Sequence, residues 1–464
     1  MKQALFLNDI KITDISNEGT GIGRYENRVV FVDKAVPGDV ADVKIYKSKK
    51  KFYEASIVKI KEASSLRSEP FCQHFGTCGG CRWQHLKYEA QLQFKEKQVK
   101  DAFERIGNQT GFETEPILAS PLQTTYRNRL DFGFSNKKYL SIEEIRSGRT
   151  FEDGAVGFHL PRLFDKVVDI QTCYLMDDLN NQIRLAVKSF AIENKLSFYD
   201  HRQHEGLLRG MVIRNTNRGE WMVIMMFGKE DNKGIEMVMH FIRTHFPQLH
   251  SLMYVINTKR NDTIYDLPVQ LYQGERFITA SIDDLKFRIS PKSFFQTNSG
   301  QVARLYKVAF DFAEIKPHEH VYDLYCGTGT ISCMAARHAK QVTGIEYVED
   351  AVKDARLNAE LNGLNNLSFH AGDLKDLLTL DFFLTHGKPQ VMMIDPPRSG
   401  MHAEVTEAVN QSEAERLVYV SCNPATQARD ISLLSNYKLI KVRPVDMFPH
   451  TLHVENVALL IRKT

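Results

Sequence analysis

A single cysteine stands where a buried strand is predicted to end. Residues 417–420 are apolar, with branched and aromatic side chains among them, and predict a buried strand. The sequence Ser-Cys-Asn-Pro at 421–424 stops that strand, because proline cannot continue a central ladder. Cys422 is therefore expected at the carboxyl end of a parallel-type strand, where open α/β sheets bind ligands. The alternative is a small buried apolar side chain, as free cysteines often are.

Two acidic residues accompany this cysteine at the ends of neighbouring predicted strands. Asp395 follows the apolar run 391–394, and Glu455 lies in His-Val-Glu-Asn at 453–456. A thiolate can act as a nucleophile and a carboxylate as a general base. From these residue types we predict covalent catalysis by Cys422 and proton removal by Glu455. Asp395 would position a substrate nucleobase or the cofactor.

A glycine-rich turn and two further acids indicate a nucleoside cofactor. Gly327 and Gly329 follow a predicted strand, and Glu346 lies 19 residues after Gly327, a spacing that suits a carboxylate on ribose hydroxyls. Asp373, after a third strand, could accept from an adenine amino group. Because the third glycine of a dinucleotide fingerprint is missing, pyrophosphate binding is less supported, and the set favours S-adenosylmethionine. Each acid could instead be a loop or capping carboxylate.

A methyl donor beside a thiolate and a carboxylate suits one reaction in particular. C5 of uracil is a poor nucleophile, but addition of a thiolate to C6 gives C5 carbanion character, so that it can take the methyl group. A base must then remove the C5 proton so that the thiol can be eliminated.

Three cysteines fall together as Cys72-x5-Cys78-Gly-Gly-Cys81, a specific signal for a metal centre. A fourth ligand is needed, and Cys173 is the first candidate, with His74 and His85 as alternatives. Four sulfurs fit either zinc or an iron–sulfur cluster, and the spacing does not separate the two.

The elements that must position these residues alternate as strand and helix from residue 320 onward. Strands are predicted at 320–325, 342–345, 367–370, 391–394 and 417–420, with helices between them and an edge hairpin at 437–445 and 454–462. Such alternation demands a parallel sheet covered on both faces. We expect a Rossmann-like class I methyltransferase domain at 290–464.

The N-terminal segment, 1–62, predicts a small OB-like β-barrel of short alternating strands separated by Gly19, Gly21, Gly23 and a Pro-Gly turn. Its tip carries Lys49, Lys50 and Lys51 beside two aromatic residues, which suits RNA phosphates and bases, although a solvated hairpin tip is the alternative. The segment resembles a TRAM domain, an RNA-binding module.

Residues 63–289 are expected to form a central α+β domain that carries the metal cluster. A polar helix is predicted from 87 to about 105, and β-rich structure from 126 to about 290 with one helix, 234–246, between 180 and 280. Arg127 and Arg129 alternate with apolar residues and are expected on one face of a strand, where they could contact RNA phosphate or be exposed sheet charges.

Composition excludes several classes of protein. The chain has 464 residues, is 43% hydrophobic and 25% charged, and carries a formal net charge of +3. No apolar run approaches the ~18 residues of a membrane span, and the N-terminal apolar run is too short for a signal peptide. We expect a cytoplasmic, multidomain α/β protein, and nothing indicates an oligomer.

The chain resembles the RNA 5-methyluridine methyltransferase family, in particular its iron–sulfur-containing 23S rRNA branch. The residues that carry the resemblance are Cys72, Cys78, Cys81 and Cys173, Ser-Pro-Lys-Ser-Phe-Phe-Gln at 290–296, Asp-Leu-Tyr-Cys-Gly at 323–327, Gly-Ile-Glu at 344–346, Asp-Pro-Pro-Arg at 395–398, Ser-Cys-Asn-Pro at 421–424 and Glu455.

The resemblance implies S-adenosylmethionine as methyl donor, a [4Fe-4S] cluster on the four cysteines, and a helix near 90–115 that packs on the methyltransferase domain. It also implies a cofactor or base pocket lined by Gln296, Tyr325, Thr330, Glu346 and Asp395.

Other functions remain open at this point. The tRNA branch has a similar C-terminal domain but lacks the barrel and the cysteine cluster, so 23S rRNA is the expected partner and tRNA the alternative. An amino methyltransferase acting on RNA purines would need neither Cys422 nor Glu455. A redox protein with an inactive α/β domain would not need the intact glycine turn.

Overall fold

The computed structural model describes residues 5–148, 154–160 and 163–463, so the first four residues of the predicted barrel segment lie outside it. The N-terminal segment forms a closed five-stranded barrel in the order β1-β2-β3-β5-β4, as predicted. Its strands are β1 (Phe6–Ile15), β2 (Gly21–Tyr25), β3 (Arg28–Asp33), β4 (Val40–Ser48) and β5 (Phe52–Glu62).

The prediction missed one barrel strand. Gly21 and Gly23 were expected to separate strands, but both lie within β2, which pairs with β1 and β3. A Cβ on Gly23 would come within 2.6 Å of Ile10, and one on Gly21 within 2.9 Å of Ile12. The two glycines therefore serve close packing in the barrel interior rather than a turn.

A central region follows the barrel and contains two antiparallel-rich sheets. Its seven-stranded sheet has the order β13-β12-β11-β10-β7-β8-β9, and β14 and β15 form a separate hairpin. The elements are α1 (Tyr88–Arg105), β6 (Glu113–Thr114), β7 (Arg129–Ser135), α2 (Ile142–Arg146), β8 (Ala155–Leu160), β9 (Leu163–Asp169), α3 (Leu179–Glu193), β10 (Leu208–Asn215), β11 (Trp221–Phe227), α4 (Asn232–His245), β12 (Ser251–Ile256), β13 (Gln270–Gly274), β14 (Ile278–Ile282) and β15 (Leu285–Ile289).

Two predictions for this region were wrong. Helix α3 was not expected, although Ile183, Val187 and Ala191 follow helical spacing and are fully buried beside the sheet. Strand β7 begins at Arg129, so Arg127 lies outside it and the two arginines do not share one strand face.

The C-terminal region is a doubly covered, mostly parallel sheet in the order β18-β17-β16-β19-β20-β22-β21-β6. Strands β16 to β20 pair in parallel and β22 runs antiparallel to β20. The elements are α5 (Ser299–Ala313), β16 (His320–Leu324), α6 (Thr330–Ala336), β17 (Gln341–Glu346), α7 (Glu349–Leu361), β18 (Leu367–Ala371), α8 (Leu374–Leu377), α9 (Leu380–His386), β19 (Val391–Ile394), α10 (Ala403–Gln411), β20 (Arg416–Ser421), α11 (Pro424–Leu433), β21 (Tyr437–Val445) and β22 (Glu455–Arg462).

Residues from the central region complete this sheet. Strand β6 pairs in parallel with β21, so the sheet edge is β6 and not the hairpin that was predicted there. Helix α1 packs on α11, and its residues Val99 and Phe103 belong to the apolar core on that face of the sheet.

A buried ion pair fixes α1 to the segment 446–454, which joins β21 to β22. Lys95 Nζ lies 2.6 Å from Asp446 Oδ1, and both side chains are fully buried. Tyr88 donates its hydroxyl to the same carboxylate at 2.8 Å. No helix in the described part of the chain is both long and apolar enough to cross a membrane.

Candidate active site

Strand pairing brings Cys422 and Glu455 together. Strands β20 and β22 are antiparallel, with Ser421 opposite Asn456, so the next position on each strand places Cys422 beside Glu455. Asp395 follows β19, which pairs in parallel with β20. The three side chains therefore meet at the carboxyl end of the sheet, and both carboxylates affect the ionisation of the cysteine.

Burial raises the pKa of both acids at this point toward neutral pH. Burial raises the pKa of Glu455 to about 8; the nearby Asp395 carboxylate acts in the same direction, and the Arg398 guanidinium opposes it. Burial likewise raises the pKa of Asp395 to about 7. A buried carboxyl whose pKa lies near the working pH can exchange a proton with a substrate in either direction.

The Cys422 thiol faces opposing influences. Burial and the carboxylates of Glu455 and Asp395 raise its pKa to about 11, whereas the Arg398 guanidinium, within hydrogen-bonding reach, lowers it. Cys422 also precedes the N-terminus of α11, whose dipole favours a thiolate. The sequence contained Arg398 as part of Asp-Pro-Pro-Arg, but its approach to the cysteine could only be learned from the structure.

Local hydrogen bonds fix the two loops that carry these groups. Asn423 caps α11 by accepting from the Ala425 N–H at 3.1 Å, with Pro424 at the first helical position. The Asn423 side-chain amide and the Thr426 hydroxyl both donate to the Arg398 carbonyl, at 3.1 and 3.2 Å. The loop after β19 is thereby tied to the cysteine turn.

The glycine-rich turn lies at the ends of β16 and β17, as the nucleoside-site prediction required. Glu346 accepts from the Gly327 N–H at 3.0 Å and from the Val348 N–H at 2.9 Å. Tyr325 adopts a left-handed backbone, φ 63°, which turns the chain sharply after β16. Gly329, φ 77°, packs so closely on α7 that a Cβ would lie 2.9 Å from the Ala355 Cβ.

Of the remaining candidate cofactor residues, Thr330 and Asp373 lie next to this turn, and Gln296 lies beside Tyr306 of α5. Thr330 is buried at the first position of α6, and half-buried Gln296 contacts the hydroxyl of Tyr306. Asp373 is the N-cap of α8 and accepts from the Lys375 N–H at 3.2 Å, the capping role that was the alternative interpretation of this acid.

Two residues near the turn were given no role from the sequence, although Asp323 is part of the Asp-Leu-Tyr-Cys-Gly motif at 323–327. Asp323 is fully buried on β16; the Ser332 hydroxyl donates to its Oδ2 at 2.5 Å, while its Oδ1 has no hydrogen-bond partner among the described residues. Tyr306 of α5 is buried beside Asp395, Asp323 and Glu455. Burial raises the pKa of Asp323 to about 7. The buried Oδ1 of Asp323, which has no hydrogen-bond partner among the described residues, fits a ligand that donates hydrogen bonds.

Known families match both ends of the chain. A family described as tRNA (Uracil-5-)-methyltransferase matches residues 275–463, which include the sheet ends just described. A family described as TRAM domain matches residues 8–58, the barrel. The barrel prediction is confirmed.

Relatives match over nearly the whole chain. An RNA methyltransferase of Bacteroides thetaiotaomicron is 49% identical over 96% of this chain and 99% of its own length. Another, from Porphyromonas gingivalis, is 47% identical over 98% and 100%. The chain belongs to the RNA (uracil-5-)-methyltransferase family. It is an S-adenosylmethionine-dependent enzyme that methylates RNA.

A solved structure supports the fold of the methyltransferase. The Pyrococcus abyssi tRNA (uracil-54, C5)-methyltransferase, crystallised with S-adenosyl-L-homocysteine, superposes with a TM-score of 0.76 and 28% identity. It covers 98% of this chain and 100% of its own.

The four cysteines of the methyltransferase converge on one cavity. Cys72, Cys78, Cys81 and Cys173 line a cavity of about 490 Å³. Burial raises the pKa of Cys81 to about 12, and the three other thiols act in the same direction. His74 also lines the cavity, but its Nε2 already accepts from the Gln171 N–H at 2.9 Å, and His85 does not line it.

The cysteine segment contacts the loop that leads into the Glu455 strand. The backbone N–H groups of Arg82 and Trp83 both donate to the His450 carbonyl, at 2.8 and 3.0 Å. The His450 N–H donates to the Gln91 side chain of α1 at 2.9 Å. The segment 446–454 is therefore held from both sides just before Glu455.

The candidate RNA contacts are split between two places. Lys49, Lys50 and Lys51 are exposed in the turn between β4 and β5. Arg127 stacks over the Phe448 ring at 5.7 Å, and Arg129 lies 3.0 Å from Asp131; both arginines line the cysteine cavity.

Proposed function

We propose that this methyltransferase modifies C5 of a specific uridine in 23S rRNA through a covalent intermediate on Cys422. The observation that carries the proposal is the pairing of Cys422 and Glu455 across β20 and β22, with Asp395 beside them.

Each group has a defined part in the reaction. The Cys422 sulfur adds to C6 of the uracil, and the electron pair of the C5–C6 double bond becomes available at C5. S-adenosylmethionine, when bound, supplies the methyl group that C5 takes. Glu455 then accepts the C5 proton, the double bond re-forms, and the C6–S bond breaks with its electron pair returning to the thiolate.

The surroundings of Cys422 and Glu455 suit their proposed roles as nucleophile and base. Arg398 stabilises the thiolate that must form at Cys422, against burial. Glu455 is buried, so water does not compete for the proton transfer, and its raised pKa makes it a stronger base than an exposed carboxylate. Asp395 would hold the uracil or the methyl donor.

The cofactor would lie over the glycine turn. The open Oδ1 of Asp323 supports an amino group there, and Gly327 allows close approach of the ligand to the backbone. We assign cofactor or base contacts to Gln296, Tyr325, Gly327, Thr330, Glu346, Asp373 and Asp395.

The cysteine cavity would hold a [4Fe-4S] cluster on Cys72, Cys78, Cys81 and Cys173. Four sulfur ligands around one cavity suit such a cluster, and zinc is the alternative. Iron and sulfide analysis of anaerobically purified protein would test the assignment, with Cys81→Ser as the depleted variant.

The choice between ribosomal and transfer RNA has support on each side. The cysteine cluster, together with Arg127 and Arg129, favours the 23S rRNA branch. The barrel with Lys49, Lys50 and Lys51 does not separate the two branches, so the expectation that the tRNA branch lacks a barrel was wrong. The second candidate substrate is tRNA, because the Pyrococcus abyssi enzyme that covers 98% of this chain, barrel included, is a tRNA methyltransferase.

One experiment separates these substrates. Mass spectrometry of 5-methyluridine in 23S rRNA and tRNA would compare cells without this protein, cells complemented with it, and cells complemented with Cys422→Ala. Loss from 23S rRNA that only the native protein restores supports the proposal. Loss from tRNA would reject the rRNA assignment, and restoration by Cys422→Ala would reject the covalent mechanism.

A further inference from the structure

A group of metal-ligand side chains lies in the central region, among residues with no part in the proposed catalysis. His159 is on β8, His201 follows α3, and Asp262 is in the loop between β12 and β13. One ring nitrogen of each histidine and one carboxylate oxygen of Asp262 all lie within 4.8 Å of one another. Three segments distant in sequence thus bring their ligand atoms to one point.

The hydrogen bond of His201 determines which nitrogen is free. Its Nε2 lies 3.1 Å from the Phe134 carbonyl, and the ring is buried. Because a carbonyl only accepts, Nε2 carries the proton and donates it, which leaves the lone pair of Nδ1 unprotonated. A backbone carbonyl in this position is a common outer partner of a metal-binding imidazole.

His159 has a nitrogen that nothing satisfies. Its Nδ1 is buried and has no hydrogen-bond partner among the described residues. The ring packs over Gly133, where a Cβ would come within 2.7 Å of Nε2, and stands perpendicular to the His201 ring with centroids 4.6 Å apart. A buried nitrogen without a partner costs free energy, and a bound ion would remove that cost.

Two arginines near the group are hydrogen-bonded, Arg209 to the candidate ligand Asp262 itself and Arg202 to Asp165. Arg209 donates to Asp262 at 3.0 Å and also to the carbonyls of Asn257, Lys259 and Asn261, so it fixes the loop that carries Asp262. Arg202 donates to Asp165 at 2.6 Å. His159, His201 and Asp262 line one cavity, and the exposed Arg260 and His204 line it too.

We propose that His159, His201 and Asp262 bind one divalent transition-metal ion of the zinc or cobalt type. Two neutral imidazoles and one carboxylate suit such an ion better than magnesium or calcium, which prefer oxygen ligands. Three protein ligands leave a coordination position toward the cavity that His204 lines. The ion would join β8, the turn after α3 and the β12–β13 loop.

The test titrates Co²⁺ into the full-length protein with its cysteine site loaded, and follows the visible ligand-field absorption. We expect one Co²⁺ per chain, affinity reduced by at least about 10-fold in His159→Asn and in His201→Asn, and no change in the matched variant His240→Asn, which alters an exposed histidine on α4. Zn²⁺ should displace Co²⁺ and raise the melting temperature of the native protein but not that of His201→Asn.

Two results would overturn the proposal. The first is absorption that survives both histidine substitutions but disappears in Cys81→Ser, since the metal would then be at the cysteines. The second is no Co²⁺ binding above that of His201→Asn. Circular dichroism of each variant separates a lost ligand from a lost fold. It is needed above all for Asp262→Asn, because Asp262 also accepts from the buried Arg209.

Discussion

Glu455 is a residue whose position comes from strand pairing and whose basicity comes from burial. If it removes the C5 proton, Glu455→Gln should stop the reaction after methyl transfer, because a glutamine amide cannot accept that proton. We expect a covalent protein–RNA adduct that persists on a denaturing gel and is labelled by the methyl group of the donor.

The double variant Cys422→Ala/Glu455→Gln provides the control for this adduct. It should form none, because the sulfur that makes the covalent bond is missing. An adduct in the double variant would exclude Cys422 as the nucleophile, and its absence from Glu455→Gln would exclude Glu455 as the base.

Because its pKa is raised in the folded protein, Glu455 should make the protein less stable as pH rises. Its pKa is about 8 in the folded protein, against an ordinary 4.5. Between these pH values the folded state keeps a proton that the unfolded chain has released, so the free energy of unfolding falls as pH increases, by about 1.4 kcal/mol for each unit of difference. The glutamine of the Glu455→Gln variant does not ionise, so the free energy of unfolding of this variant does not fall with pH for this reason.

Melting temperatures at pH 5 and pH 8 would measure the effect. We expect the advantage of Glu455→Gln over the native protein to be larger at pH 8 than at pH 5. Glu360→Gln, an exposed change on α7, should show no such difference. An advantage that does not grow with pH would mean that Glu455 is not the buried, proton-holding group described above.

Part of the site was predictable at the scale of single residues, and part was not. Cys422, Asp395 and Glu455 could be placed because each lies at the end of a recognisable apolar strand. Arg398 and Tyr306 could not, because their approach to the site depends on how loops and helices fold back over the sheet. The roles of the cofactor residues remain predictions.

At the scale of elements, α1 depends on the ion pair between Lys95 and Asp446. Removing one partner of a buried pair leaves a charge without compensation and costs about 3–5 kcal/mol. Lys95→Met should therefore lower the free energy of unfolding by about this amount, as measured by chemical denaturation.

A neighbouring lysine on the same helix is the matched control. Lys97 is 45% exposed and pairs with Asp14 and Asp101, so Lys97→Met should cost less than about 1 kcal/mol. Equal losses in the two variants would contradict the importance of the buried pair.

Elements were predicted well where one physical signal was enough. Strand β19 and the centre of β20 are continuous apolar runs, and strands alternate with helices throughout the catalytic sheet, so the order of its strands along the chain was evident. Strand β2 was missed because glycine usually marks a turn, whereas here it allows Ile10 and Ile12 to pack against the backbone. Strand β6 has two residues and no pattern; only its pairing with β21 defines it.

At the scale of the whole molecule, RNA must be held by surfaces beyond the catalytic sheet. Replacing Lys49, Lys50 and Lys51 with glutamine should weaken RNA binding. The slope of log K against log salt should also become shallower, by about one for each RNA phosphate that these lysines neutralise in the native protein. Fluorescence anisotropy at several salt concentrations would measure both.

Three exposed lysines elsewhere, Lys307, Lys316 and Lys388, provide a variant with the same change in charge. This variant should keep the native slope. If both triple variants change RNA binding equally, the lysines of the barrel tip act only through the net charge of the protein and not through a local contact with RNA.

The pairing of α1 with the last quarter of the chain also has a consequence during synthesis. Lys95 and Asp446 are separated by 351 residues, so α1 leaves the ribosome long before its partner exists. The helix α11, on which α1 packs, is also made late, so the face formed by Val99 and Phe103 has no partner helix until residues 424–433 are made. Chains interrupted before α11 would expose that face to other proteins, including chaperones, for most of their translation.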